Sequence, residues 1–166
     1  MRIEISRLTE CIMTENQVLT DLINLANSKK QAIILEDIAE LTEIMRQESH
    51  LIHVLEKTEA QRHAGSVALA RSVGLKEEEL TASSLINHLN INAPSEAARF
   101  SEAIDNLVHS LELLKGMNQN NTILLEQSLA FVENMEALLT RQRQTTYSEG
   151  GSVNDSPTRS VLDKKV

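Results

Sequence analysis

Few residues of this chain are spaced for bond-making chemistry. His50 and His53 stand three apart, so on a helix they share a face that a metal ion can use. No second ligand pair accompanies them, and the Glu-x-x-His pattern of di-iron helical bundles is missing from the sequence. His63, His88 and His109 are scattered. There is no Gly-rich phosphate loop and no Gly-x-Ser-x-Gly elbow. Carboxylates are plentiful but fall on the solvent faces of amphipathic helices, and Lys76-Glu77-Glu78-Glu79 reads as an exposed helix start. Cys11, the single cysteine, sits beside Leu8 and Ile12 on a helical face and reads as a buried structural residue. The sequence thus predicts no enzyme, no metal and no cofactor.

The chemistry that remains is recognition. A heptad-like seam runs through Ile104, Leu107, Leu111, Leu114, Leu125, Val132, Met135 and Leu139, with Asn118, Asn121 and Ser128 in step. Such a seam needs partner helices. A second row at sevenfold spacing lies beside it: Met117, Leu124, Phe131 and Leu138. The stripe is therefore wider than one two-helix contact uses. Two readings stay open: the surplus row faces a second helix of the same bundle, or it forms a groove for an amphipathic helix of another protein, with Met and Leu giving an adaptable surface.

These residues need long helices to position them, and the composition supplies them. Aromatic residues make up 2% of the 166, there is no Trp, and Gly and Pro number 5 and 2, which disfavours sheets and their turns. The expected fold is all-α: an elongated, coiled-coil-like antiparallel bundle of three long helices, with a short connector helix and a disordered C-terminal tail. The net charge of −8 and the lack of a basic stripe exclude a nucleic-acid binder. No run approaches the roughly 20 apolar residues of a membrane span, so no membrane insertion is expected. The N-terminus lacks signal-peptide features, and the single cysteine fits a reducing compartment; both point to the cytoplasm.

Along the chain, a first helix reads from about Ile3 to Ile34, with the seam Ile5, Leu8, Ile12, Leu19, Leu22, Ala26 and Ile33, and Glu15 and Lys29 in step. A second seam follows: Ile38, Leu41, Met45, Ile52 and Leu55, with Glu48, Glu59 and Arg62 in step. A tight turn is placed at Leu35–Asp37, because Asp37 and Glu40 have capping-box spacing; one unbroken helix to about Val73 is the alternative. In a hairpin turning there, Lys29 comes opposite the region of Glu43. The in-seam charges either fix register or line a polar groove. Gly74 ends the second helix. Thr81 caps a connector helix through about Leu89, then Asn90, Asn92 and Pro94 break the pattern. Ser95 is expected to cap the third long helix, which runs to about Thr146, a rod of roughly 75 Å. Gly116 inside it is either a hinge or a tolerated flaw. The expected domains are a helical part, 1–146, and a flexible tail, 147–166. The tail contains Gly150-Gly151, Pro157 and four serines and balances its charges, so the whole −8 belongs to the helices.

Taken in order, several stretches resemble the FlgN family of flagellar export chaperones. They are Leu22 through Lys30 with Ala32-Ile33-Ile34 and Glu36-Asp37; Leu41, Ile44, Glu48, Leu51, Leu55, Glu59 and Arg62; Asn118-x-x-Asn121-x-x-Leu124-Leu125 with Ser128-Leu129 and Val132; and a lone Tyr147 ahead of Gly150. The resemblance implies a cytosolic chaperone that binds the amphipathic terminal helices of the hook–filament junction proteins FlgK and FlgL, preventing premature association. On that basis Met117, Leu124, Phe131, Val132, Met135, Leu138 and Leu139 are the expected client-binding residues. Tyr147 is the expected contact for the export gate protein FlhA, since an aromatic brings large contact area with few rotatable bonds. The alternatives are a helical adaptor with another client and a self-associating coiled-coil protein.

Overall fold

A computed structural model describes residues 2–76 and 81–146, with side chains at 3–76 and 81–140. Among these described residues four helices follow one another: α1 (Arg2–Ile34), α2 (Ile38–Ser72), α3 (Ala82–Asn92) and α4 (Pro94–Thr146). No strand occurs among the described residues. Packing divides the chain into two compact units, Met1–Gln127 and Ser128–Val166.

In α1 every apolar seam position, Ile5, Leu8, Ile12, Leu19, Leu22, Ala26 and Ile33, is buried. The helix then stops without glycine or proline. Glu36 N–H donates to the Ile33 carbonyl at 3.2 Å and Asp37 N–H to the Ala32 carbonyl at 3.0 Å, the paired bonds of a Schellman end. Glu36 itself takes the left-handed conformation, φ 56°, a place usually held by glycine. Asp37 caps α2, its Oδ1 accepting from Glu40 N–H at 3.0 Å. The turn therefore lies where the sequence puts it, and the unbroken-helix alternative falls.

The second seam needs correction. Leu41, Glu48, Leu55 and Arg62 are turned at least partly inward, but their companion row is Ile44, Leu51, Thr58 and Gly65, leading to Leu69. The expected companions Ile38, Met45 and Ile52 are exposed. The physical reason is fit rather than hydrophobicity. Thr58 and Gly65 are small and let α1 approach closely, and a Cβ on Gly65 would stand 3.3 Å from Leu8 Cδ1. Gly74, at φ 77°, ends α2 with a second Schellman pair: Leu75 N–H to the Ala70 carbonyl at 2.9 Å and Gly74 N–H to the Arg71 carbonyl at 3.3 Å.

Thr81 caps α3 through a reciprocal capping box with Ser84. The helix passes through Asn90 to Asn92, further than expected, with Asn92 Nδ2 donating to the His88 carbonyl at 3.0 Å. The α3–α4 corner is a single buried residue, Ala93, whose N–H donates to the Leu89 carbonyl and whose carbonyl accepts from Ala97 N–H. Pro94 supplies the pre-set φ of a first helical residue. Ser95 is thus inside α4 rather than its cap, and its hydroxyl donates to the Glu96 carboxylate at 2.5 Å.

Leu85, Leu89, Ala93, Ala97, Phe100, Ala103 and Leu107 close the core over Ile5, Leu8, Ile12 and Leu69. Two polar pairs set the direction of α4. Ser110 Oγ donates to Asn16 Oδ1 at 2.7 Å, and Asn121 Nδ2 donates to the Ala26 carbonyl at 2.8 Å. Both numbers rise together, so up to Gln127 α4 runs in the sense of α1. Lys29–Glu48 and Glu15–Arg62 contacts make α2 antiparallel to α1.

Candidate functional site

Within residues 1–127, α4 buries Ser110 and Asn121, while Leu111 and Asn118, expected in the seam, are exposed. The hydrogen bonds of Ser110 and Asn121 to α1 fix this rotation. Met117 and Leu124 are half-buried.

Within residues 128–140 of α4 the situation is different. Phe131, Val132, Met135, Leu138 and Leu139 are exposed, from 43% at Met135 to 59% at Phe131. Leu129, in neither expected row, is 62% exposed. Large apolar side chains left together in water form a surface that gains free energy when another apolar surface covers it. Glu133 and Glu136 are the charged residues of this stretch.

A cleft of about 350 Å³ lies between α1, α2 and α4, walled by Leu22, Ile52, Leu55, Leu114 and Leu125. Lys29 and Glu48 line it and pair with each other, Nζ to Oε2 at 2.6 Å. The partner of Lys29 is therefore Glu48, not the region of Glu43; Glu43 instead accepts from Arg46 and Gln47 on its own helix. Of the α2 residues that the sequence assigned to the core, Ile52 lines this cleft and is exposed.

Cys11 is half-buried rather than buried, and its Sγ donates to the Thr58 carbonyl at 3.6 Å. Burial, then the charge of Glu15, push its thiol above the ordinary range, which suppresses the reactive thiolate. Burial also raises the Glu15 carboxyl, with Arg62 opposing. His50 and His53 are exposed, and His53 Nδ1 stands 3.6 Å from Glu56. Among the described residues no group of three or more His, Cys, Asp and Glu is placed to hold a metal ion, and no helix is long and apolar enough to cross a membrane. Tyr147 and the rest of the expected tail lie outside the described residues.

A family model described as FlgN protein matches residues 1–155. No curated protein and no solved structure matches the chain. With helices and no strand among the described residues, and with the family model matched over nearly its whole length, this chain belongs to the FlgN family of flagellar export chaperones.

Proposed function

We propose that this chaperone holds the amphipathic terminal helices of FlgK and FlgL in the cytoplasm and delivers them to the export gate protein FlhA. The observation that carries the reading is the exposure of Phe131, Val132, Met135, Leu138 and Leu139 on one helix. An amphipathic client helix docks by laying its apolar face on such a stripe. While it is covered there, it cannot pair with its later neighbours in the filament. Met117 and Leu124 belong to the same sevenfold row of the sequence, and client contact is proposed for them too. Tyr147 is the proposed gate contact, suited to it as the single tyrosine of the chain.

The test is capture of purified FlgK and FlgL by the full chain and by a Phe131→Asp/Leu138→Asp/Leu139→Asp variant. Capture should be lost while the helical circular dichroism stays unchanged, because these side chains are exposed. Undiminished capture by a folded variant sinks the reading. Tyr147→Ala should weaken FlhA binding and leave client capture intact; loss of both, or of neither, contradicts the gate assignment.

A further inference from the structure

The tip of the α1–α2 hairpin has an unusual makeup. Ile34, Leu35 and Ile38 are 55%, 75% and 70% exposed, while Ala32, Ile33 and Ile44, near them in the sequence, are buried. The backbone of this tip is held by the Schellman pair, the Leu35 N–H bond to the Gln31 carbonyl at 2.9 Å, the Leu41 N–H bond to the Asp37 carbonyl at 3.0 Å, and the Asp37 cap. Glu36 keeps the left-handed backbone there although glycine would adopt it at lower cost. Strain of this kind persists where the surroundings over-determine it, and such positions cluster at functional sites.

The charge around the trio has one sign. Glu36, Asp37 and Glu40 share the stretch with it, all exposed, and no Lys or Arg occurs between Lys30 and Arg46. Asp37 is committed to its cap, whereas Glu36 and Glu40 are exposed. We propose that this tip is a docking knob for a second protein, one whose surface offers an apolar socket rimmed by lysine or arginine. The charge selects that occupant. A second copy docking tip to tip would bring the same acidic residues against the first, and an anionic bilayer would repel them in the same way. A basic rim is attracted instead, and the trio is small enough to suit a transient contact. The inference is independent of the client reading, which rests on residues 128–140.

The experiment places photoreactive benzoylphenylalanine at position 35 of the full chain, crosslinks in the native cells and maps the adduct by mass spectrometry. The expected result is one partner protein, attached at a peptide carrying Lys or Arg beside apolar residues. The yield should fall about tenfold in an E36K/E40K background and in an I38D background, with helicity unchanged in both. Adducts confined to a second copy of this chain, to lipid or to FlgK or FlgL overturn the proposal. So does the absence of any adduct, or a yield that survives charge reversal.

Discussion

Arg62 Nε lies 2.8 Å from Glu15 Oε2, spanning α2 and α1 at ion-pair distance but off the axis of a hydrogen bond. The Glu15 side chain is 7% exposed and that of Arg62 28%. Removing one partner strands the other charge in a poorly hydrated place, whereas removing both does not. Arg62→Ala should therefore lower the unfolding free energy by about 2–3 kcal/mol, and Glu15→Leu/Arg62→Leu should recover most of it in denaturant titrations. Equal loss in the single and double variants would contradict this. The pH dependence has a definite sign. The folded carboxyl is raised, so between the ordinary carboxylate range and its folded value the native state binds more protons than the unfolded one. Glu15's contribution to stability thus declines as pH rises through that window. Arg62→Ala should extend the window upward, as read by side-chain carbon NMR titration.

The chain has two phenylalanines, Phe100 at 2% exposure and Phe131 at 59%. Phe100→Ala should cost about 3–5 kcal/mol through lost contacts and a cavity. Phe131→Ala should stay within about 0.5 kcal/mol of the parent while weakening client capture. Unfolding curves and pull-downs on both variants check the contrast; a large stability loss at Phe131 would mean that its face is already covered.

Gly116 is interior to α4, and a Cβ there would meet nothing within 4 Å. Gly116→Ala should stabilise the chain by about 1 kcal/mol through helix propensity alone. If the stabilised variant captures FlgK and FlgL as well as the parent, the glycine is a tolerated flaw. If capture falls while stability rises, the helix bends there in use.

Glu36→Gly should relieve the left-handed backbone at the α1–α2 corner. The conformational gain of roughly 1–2 kcal/mol is partly offset by the greater freedom of glycine in the unfolded chain, so a net rise of at most about 1 kcal/mol is expected. Glu36→Val should move the midpoint the other way, because a branched side chain resists positive φ. Thermal melts of the two variants decide the matter.

The sequence by itself determined the helical class, the α1 seam, the corner at Leu35–Asp37, the stop at Gly74 and the cap at Thr81. Each is a local property: the period of apolar residues, or a side chain reaching a backbone amide a few residues away. Composition and heptad rows also marked Phe131, Val132, Met135, Leu138 and Leu139 before any packing was known. Tertiary structure alone decided the rotation of each helix. On α2 it buried Ile44 and Leu51 with the small Thr58 and Gly65, and left the more apolar Ile38, Met45 and Ile52 outside. On α4 it buried Asn121 and left Asn118 exposed. Where two adjacent rows are both apolar, periodicity cannot choose between them. The choice falls to how closely two surfaces approach and whether a buried polar group finds its partner, as Asn121 finds the Ala26 carbonyl.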